Sequence, residues 1–442
     1  MRLNILKLEH VGAGLRTHEG APACRISAEL QLRRAVLACM LWEDQFYESG
    51  VEIAARIAEL VAKVAPEQVA ALAVEAREEM KLRHAPLLLV REMARLKTHR
   101  HLVAETLARV VQRADELAEF LAIYWKEGKQ PISAQVKRGL AAAFTKFDAY
   151  ALAKYNRDGE VKLRDVLFLS HAKPLDAAQA ELWKQLVSDS LPVPETWEVR
   201  LSAGGDKRES WESLLRERKL GALALLRNLR NFSQCGVEEE QVRSALREIR
   251  TERLLPFRFI AAARYAPQWE AEIEQAMFRC IAGREKLGAE TVLLVDVSGS
   301  MDASLSRNSE MRRIDAACGL AVLLREICEK VSVYTFSDGL VAVPARHGFA
   351  LRDAISGSQK HGGTRLGHAL NAIRETYDRI VVITDEQSHD SVPGPHAAGY
   401  MINVASYKNG VGYGTWTHID GWSEAVVDYI QSFEQTETDN EN

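Results

Sequence analysis

Two hydrophobic rhythms divide the chain near residue 287. Between Ser27 and about Gly283, apolar residues recur every three or four positions, which is the spacing of one face of a helix. After Gly288, short apolar runs rich in β-branched residues alternate with helical periods, a pattern typical of a parallel sheet covered by helices. The pattern therefore predicts an all-helical region followed by a doubly wound α/β domain.

The helical region is predicted to hold more than ten short helices in pairs, without the heptad seam of a bundle. This favours an α-solenoid of HEAT-like repeats, and because no strict sequence period is present, an irregular all-α domain is the alternative. The glycine-containing segment 203–209 is predicted to be a flexible loop. The predicted helices are Ala28 to Trp42, Val51 to Val64, Pro66 to Leu82, Pro86 to Lys97, Leu102 to Gln112, Asp115 to Trp125, Ser133 to Phe147, Asp176 to Val187, Leu220 to Phe232, Glu238 to Arg250, Leu255 to Tyr265 and Trp269 to Ala282.

The α/β region is predicted to form a mostly parallel sheet with helices on its faces. We expect domains at 1–286 and 287–433, followed by a disordered acidic tail at 434–442. The predicted strands are Thr291 to Val295, Val331 to Phe336, Arg379 to Thr384 and Tyr400 to Ala405, and the predicted helices are Ile314 to Lys330, Leu366 to Tyr377 and Ser423 to Ser432.

Composition indicates a soluble globular protein, with 47% hydrophobic and 27% charged residues. No apolar run approaches the roughly 18 residues that a membrane span needs. Lys7, Glu9 and His10 interrupt the first residues, so no signal peptide is expected there. The six cysteines form no C-x-x-C pair, and we expect reduced thiols in a cytoplasmic protein without membrane association.

Charge is distributed unevenly along the chain. Residues 1–286 contain 45 basic and 40 acidic residues, a net charge of +5, whereas the remainder contains 12 and 21, a net charge of −9. The acidic part would repel nucleic acid, whereas the helical part could bind it if its cations cluster on one face.

Oxygen-bearing side chains stand at the predicted carboxyl ends of two strands, where open α/β sheets place their ligands. Asp296, Ser298 and Ser300 follow the first strand, and Asp385 ends the strand that begins at Arg379. Thr364 adds a third hydroxyl on a glycine-rich loop before a helix. Carboxylates and hydroxyls are hard donors, which suit Mg2+ and are poor ligands for zinc or copper.

These five residues, in this order, resemble the metal-ion-dependent adhesion site of a von Willebrand factor A domain. The resemblance covers about 290–432 and implies Mg2+, or another hard divalent cation, with one coordination position open to a partner's carboxylate or to water. Catalytic alternatives lack residues that they need. A phosphotransferase of the two-aspartate type would have an aspartate where Ser298 stands, and no G-x-S-x-G elbow surrounds it. A metal-free site is the remaining alternative.

The densest group of cations in the helical region lies between Lys137 and Lys173. Aromatic residues are interleaved with it, and cations that bind phosphates beside exposed rings that stack on bases are what single-stranded RNA binding requires. Acidic residues such as Asp158 and Glu160 are also interspersed. From composition alone, solvated helix faces with the rings in the core are therefore the more economical interpretation.

Local sequence favours RNA binding, because several segments resemble the TROVE domain of the Ro autoantigen family. The resemblance covers roughly 14–284, and an A domain follows directly, as it does in that family. The segments are His18 to Gly20, Glu29 to Arg34, Ala153 to Tyr155 leading to Asp165 to Pro174, Leu225 to Asn231, and Pro256 to Ile260.

The resemblance implies a monomeric ring of HEAT-like helical repeats that the A domain closes. Small noncoding Y-like RNAs would bind the basic outer surface, and single-stranded ends of misfolded RNAs would enter the central hole. A 3'-to-5' exoribonuclease such as polynucleotide phosphorylase is the implied partner. The candidate RNA-binding residues are Lys137, Arg138, Lys146, Lys154, Tyr155, Lys162, Arg164, His171, Lys173, Arg227 and Arg230.

The favoured hypothesis is a noncatalytic RNA-binding protein that acts in RNA quality control. The alternative from another class is a helical protein-docking scaffold whose A domain binds a partner carboxylate through Mg2+. A hydrolase is disfavoured, because neither part of the sequence shows a histidine-rich metal cluster or an acid/base pair.

Overall fold

A computed structural model describes residues 24–25, 27–38, 50–251, 254, 256–305, 311–405 and 411–420, with single positions at 427, 430 and 434. Its described residues fall into two compact units, one within 35–202 and the other comprising 24–34 and 203–434. The motif predicted at 18–20, most of the predicted helix 423–432 and the tail 435–442 lie outside the described residues.

The first unit is a stack of short helices in two layers. Helices α3, α5, α7 and α9 pack in succession, and α2, α4 and α6 do the same, the arrangement of an α-solenoid built from helix pairs. The helices, of which the first spans the boundary between the units, are α1 (Ala28–Ala38), α2 (Gly50–Val61), α3 (Pro66–Glu78), α4 (His84–Arg95), α5 (Val103–Val110), α6 (Asp115–Tyr124), α7 (Ala134–Phe144), α8 (Ala149–Tyr155), α9 (Leu163–Ser170), α10 (Ala177–Val187) and α11 (Trp197–Ser202).

Local sequence explains how α7 begins and how closely it packs. The Ser133 hydroxyl accepts a hydrogen bond from the Val136 amide at 3.3 Å, which satisfies an otherwise unpaired donor of the first turn. Further along the helix, a Cβ atom at Gly139 would lie 2.9 Å from the Leu107 Cβ atom on α5. The missing side chain therefore lets the α5 and α7 backbones approach closely.

From residue 203 onward, the second unit contains five more helices before its sheet. The segment 203–209 was expected to be a loop throughout, and this was wrong beyond residue 206, because the Asp206 carboxylate caps a helix by accepting from the Arg208 amide at 2.7 Å. The helices are α12 (Lys207–Arg216), α13 (Ala222–Gln234), α14 (Glu239–Arg247), α15 (Pro256–Tyr265) and α16 (Glu270–Ile281).

A six-stranded sheet follows, in the order β4-β3-β2-β5-β6-β8, and all its pairings are parallel except β3 with β4. Strand order reverses at β2, whose neighbours are β3 and β5. Two-residue strands β1 and β7 pair separately. The strands are β1 (Cys24–Arg25), β2 (Leu287–Asp296), β3 (Cys328–Phe336), β4 (Leu340–Ala342), β5 (Arg379–Thr384), β6 (Ala398–Asn403), β7 (Val411–Gly412) and β8 (Thr417–Asp420), and the helices are α17 (Arg313–Ile327), α18 (Gly348–Ser356) and α19 (Leu366–Ala372).

The sheet confirms the predicted doubly wound fold class, and its core forms from the predicted apolar strands. Val292, Leu294, Ile380 and Val382 are almost fully buried in one cluster with Leu366 of α19. Helix α19 is shorter than predicted, since it ends at residue 372 and not at 377. Among the described residues, none of the helices combines the length and apolarity that crossing a membrane requires.

Helix α17 belongs both to the sheet and to the helical stack. Twelve of its fifteen residues are buried, so it is covered on nearly every side. It packs against β2 and also against α15, which itself packs on α13. Gly319 leaves room for Ile260 of α15, whose Cδ1 atom would lie 3.0 Å from an added Cβ. Within the second unit, the row of helices α13, α15 and α17 therefore continues into the sheet.

We expect Gly348→Ala to destabilise the second unit by about 1–3 kcal/mol. Gly348 has a φ of +53°, and an added Cβ would lie 2.8 Å from the Phe278 ring of α16 and closer still to the Glu274 carboxylate. Urea unfolding measures the loss. Gly339→Ala is the control, because no atom lies within 4 Å of its added Cβ. Equal effects of the two substitutions would contradict the prediction.

Candidate metal centre and nucleic-acid interface

The two predicted carboxylates stand side by side at the reversal of strand order. Asp296 ends β2, and Asp385 directly follows the neighbouring strand β5. Thr384, the last residue of β5, donates its hydroxyl hydrogen to the Asp296 Oδ2 atom at 2.6 Å. Both carboxylates are almost completely buried. The structure thus brings the predicted acidic residues together at the edge where open α/β sheets bind ligands.

The loop after β2 carries the serines and reaches the glycine-rich loop. The Ser298 amide donates to the Asp296 Oδ1 atom at 2.8 Å, and the Ser298 and Ser300 hydroxyl oxygens lie 3.2 Å apart. The Gly299 amide donates to the Gly362 carbonyl at 2.9 Å, which links the loop to the segment that carries Thr364. Thr364 is 4% exposed. Asp296 at the end of β2 and the four other predicted residues, on segments beyond the strand ends, therefore lie at one end of the sheet.

Two buried carboxylates so close together are electrostatically unfavourable. Burial, followed by repulsion from Asp385, raises the pKa of Asp296 to about 7. Asp385 has a cationic neighbour that the sequence analysis missed, because its Oδ2 atom lies 3.2 Å from the Arg313 Nη1 atom and both side chains are at most 3% exposed. Arg313 begins an apolar helix beside another arginine, so its burial could not be predicted from local sequence.

The donor set fits a hard divalent cation. Two carboxylates and three hydroxyls are oxygen ligands of the kind that Mg2+ takes, and the cation would offset the repulsion that raises the pKa of Asp296. Elsewhere in the described ranges, His, Cys, Asp and Glu side chains do not gather in groups of three suited to a metal. The hydroxyl-based set at the strand ends is therefore the candidate metal centre of the described chain.

A second buried layer holds the backbone behind Asp385. Glu386 has a φ of +57°, and its carboxylate hydrogen-bonds the buried His418 imidazole of β8. The Tyr413 hydroxyl donates to the Glu386 carbonyl at 2.8 Å and accepts from the Ser388 amide at 2.9 Å. These contacts orient the turn that presents Asp385. Sequence reasoning missed them because the residues lie about thirty positions apart.

The raised pKa of Asp296 predicts a pH dependence of the metal-free protein. A carboxyl with a higher pKa in the folded state than in the unfolded state binds more protons when folded, so stability falls as pH rises from about 4 through 7. In EDTA, we expect a lower free energy of unfolding at pH 8 than at pH 5.5. Asp296→Asn should flatten this slope. A stability that rises between these pH values in the unsubstituted protein would overturn the prediction.

Some of the predicted RNA-binding residues meet on the surface of the first unit. The Lys137 Nζ atom on α7 lies 3.4 Å from the His171 Nε2 atom at the end of α9. On α8, the Lys154 Nζ atom lies 5.7 Å from the ring centroid of Tyr150 and 5.8 Å from that of Tyr155. The Arg113 guanidinium stacks 4.7 Å above the Tyr155 ring. Cations and accessible rings are therefore adjacent here, and we call α8, α9 and residues 171–173 the basic–aromatic surface.

Other predicted cations are already engaged. The Lys146 ammonium donates to the Val111 carbonyl at 2.7 Å and to the Ala108 carbonyl, so it caps the end of α5. Burial lowers the pKa of Lys146. Lys162 forms an ion pair with Asp158 at 2.5 Å. Arg138 and Lys173 are exposed and Arg164 is half-buried, which leaves them available to a ligand.

The aromatic residues of this region divide between core and surface. Phe144 and Phe147 are buried, at 0% and 7% exposure, so the core interpretation was correct for them. Tyr150 is 52% exposed and Phe168, which sequence reasoning did not single out, is 59% exposed. The stacking surface is therefore smaller than the sequence implied, and Phe168 of α9 belongs to it.

Arg227 and Arg230 lie in the other unit, on α13. Both line a cavity of about 390 Å3 together with Arg258 and Tyr265 of α15. The adjacent Asn228 is buried and donates to the Ala224 carbonyl at 2.8 Å, so it stabilises its own helix. The segment that begins at Leu225 thus presents its arginines to one cavity and keeps its asparagine inside.

Two known domain families match successive parts of the chain, on either side of the change in hydrophobic periodicity near residue 287. The TROVE domain matches residues 187–282, and the von Willebrand factor type A domain matches residues 291–387. The A-domain match contains all five candidate metal ligands. The TROVE match contains Arg227 and Arg230, whereas the basic–aromatic surface precedes it. Neither family describes a catalytic domain, in agreement with the predicted noncatalytic protein.

Individual relatives are more distant. Telomerase protein component 1 of Rattus norvegicus is 35% identical over 231 residues, which cover 48% of this chain and 8% of that protein. The Mus musculus protein is 36% identical over 89 residues, which cover 19% and 3%. The chain thus spans less than a tenth of the length of these relatives. The crystal structure of the Ro (RSR) protein of Deinococcus radiodurans matches with a TM-score of 0.58 and 18% identity, over 88% of this chain and 96% of that one. This likeness shows a shared fold.

Proposed function

Since the chain is a TROVE protein in which a von Willebrand factor A domain follows the TROVE segment, we propose that it binds RNA without catalysing a reaction. The observation that carries the proposal is the basic–aromatic surface, where the ammonium group of Lys154 lies beside the rings of Tyr150 and Tyr155. Cations neutralise phosphates and rings stack on unpaired bases, so such a surface selects the shape of an RNA and not its sequence.

In this proposal, a small structured RNA of the Y type binds the basic–aromatic surface, and single-stranded ends of misfolded RNAs enter a ring hole. The protein then acts in cytoplasmic RNA quality control or as an adaptor for a 3'-to-5' exoribonuclease such as polynucleotide phosphorylase. These roles follow from the family resemblance. The exposed cations of the first unit support the structured-RNA part, and the arginines around the α13 cavity support binding of a phosphate backbone.

Sequencing of RNA that copurifies with the protein from its native cell tests the proposal first. We expect small structured RNAs to be enriched, and their affinity in fluorescence anisotropy to fall steeply between about 50 and 200 mM salt, since each neutralised phosphate contributes a log–log slope of about −0.9. Protein purified without RNA, together with an affinity that salt does not change, would reject RNA binding.

The oxygen ligands at the strand ends support a second proposed function for the A domain. Asp296, Ser298, Ser300, Thr364 and Asp385 would hold Mg2+, which would supply a coordination position open to a partner's carboxylate. The chain would then dock an acidic protein. Isothermal titration with MgCl2 and MnCl2 should show one site that Asp385→Ala removes, and titration without heat in the unsubstituted protein would exclude it.

A further inference from the structure

A second, larger cavity in the TROVE-matched segment has no role in the functions above. It measures about 670 Å3 and lies among α12, α13 and α14, within the range of about 300–1,000 Å3 of small-molecule pockets. Its apolar wall includes Leu214, Leu220, Leu225 and Ile249. A flat, largely apolar group such as a nucleobase fits a wall of this kind.

Positive charge dominates the polar part of the cavity. Four cations line it, at Arg216, Arg218, Lys219 and Arg250, against the single carboxylate of Glu248. Arg218 forms an ion pair with that carboxylate. By contrast, the side chains of Arg216 and Arg250 form no ion pair or hydrogen bond with any residue that the structure describes. Two guanidinium groups thus remain available for an anion, and guanidinium groups favour phosphate.

We propose that this cavity binds a phosphorylated nucleoside, with its phosphate on Arg216 and Arg250 and its base on the apolar wall. The first turn of α13 adds amide donors, because its N-cap residue Gly221 has no side chain to satisfy them. The nucleotide is either free or the terminal residue of an RNA, and only the second source rests on the proposed RNA binding.

Titration calorimetry with adenosine 5'-monophosphate, adenosine and inorganic phosphate tests the proposal on the full chain. We expect the monophosphate to bind at least about tenfold more tightly than adenosine or phosphate alone, because charge-assisted hydrogen bonds to the arginines add to the burial of the base. Arg216→Gln with Arg250→Gln should abolish that preference. Arg247→Gln is the control, since Arg247 at the end of α14 pairs with Glu240 and does not line the cavity.

A steric variant separates loss of the site from loss of the fold. Ala245→Phe fills the cavity and leaves every cation in place, so it should also abolish nucleotide binding at an unchanged melting temperature. Equal affinity for adenosine and its monophosphate, or full binding by both cavity variants, overturns the proposal.

RNA probes distinguish the two sources of the nucleotide. Short single-stranded RNAs with a 5' or 3' terminal phosphate should lose affinity in the cavity variants if the nucleotide is a terminal residue, whereas a circular RNA should not. If neither free nor terminal nucleotide binds, the proposal is wrong. If circular RNA still binds with unchanged affinity in that case, RNA binding by the basic–aromatic surface is not contradicted.

Discussion

Replacing Lys154, His171 and Lys173 together by alanine should lower the affinity for a structured RNA by about ten- to a hundredfold at physiological salt. Lys173 and His171 are exposed at the end of α9, and Lys154 adjoins two tyrosine rings on α8. Because the two lysines would neutralise phosphates, the log–log salt slope should also become shallower by about 2. Fluorescence anisotropy across a salt series measures both quantities.

A control with the same loss of lysine charge is available in the first unit. Lys63, just after α2, and Lys184 of α10 form exposed ion pairs with the nearby Glu59 and Glu181. Lys63→Ala with Lys184→Ala therefore removes two lysines outside the basic–aromatic surface. We expect an affinity within about twofold of the unsubstituted protein, since the lost field is screened within a Debye length. If both variants weaken RNA equally, binding depends on overall charge and the site is elsewhere.

The second large effect concerns the metal centre. Arg313→Met should destabilise the metal-free protein by about 3–5 kcal/mol, because it leaves the buried Asp385 carboxylate without its guanidinium partner. A divalent cation would replace that positive charge. Millimolar Mg2+ should therefore recover a larger part of the stability in the variant than it adds to the unsubstituted protein, in urea unfolding with and without EDTA.

The neighbouring arginine provides the comparison. Arg312 pairs with Asp302 at 2.8 Å, and both side chains are more than a third exposed, so Arg312→Met should change the free energy of unfolding by at most about 1 kcal/mol. If the two substitutions have equal effects, or if Mg2+ stabilises neither protein, then Arg313 does not compensate the charge of the metal centre.

The strand ends could be predicted from sequence because their signals are local. Each of the two apolar, β-branched runs predicts a buried strand. The carboxylates that follow these runs, Asp296 and Asp385, are therefore predicted at the carboxyl ends of the two strands. Helices with a clear amphipathic period or a cap, such as α7 and α10, were also predictable. Short edge strands such as β4 carry too few residues for a pattern, and they depend on pairing with a neighbour.

Interactions between distant residues account for what the sequence did not reveal. From its local sequence, Arg313 would be expected to be a surface charge. In the fold it pairs with Asp385, which lies 72 residues later in the chain. Lys146 was predicted to bind phosphate, but its ammonium group donates to the carbonyl at the end of α5. The cavity beside Arg216 is formed in part by α12. This helix was not predicted, because its sequence is mostly polar. Each of these outcomes is decided by tertiary contacts, which periodicity does not encode.

Because α17 packs against α15, the A domain is not expected to fold independently of the helices that precede it. Cutting the chain at residue 287 would expose the face of α17 that Ile260 covers, and would remove the Arg264 partner of Asp315 and the Glu270 partner of Arg352. A fragment that begins near residue 203 keeps all three contacts. Such a fragment, and not the A domain alone, should express as a monodisperse protein and unfold as one cooperative species. The same contacts constrain recombination during evolution. A sheet transferred without α15 and α16 would need new residues to cover the exposed face of α17.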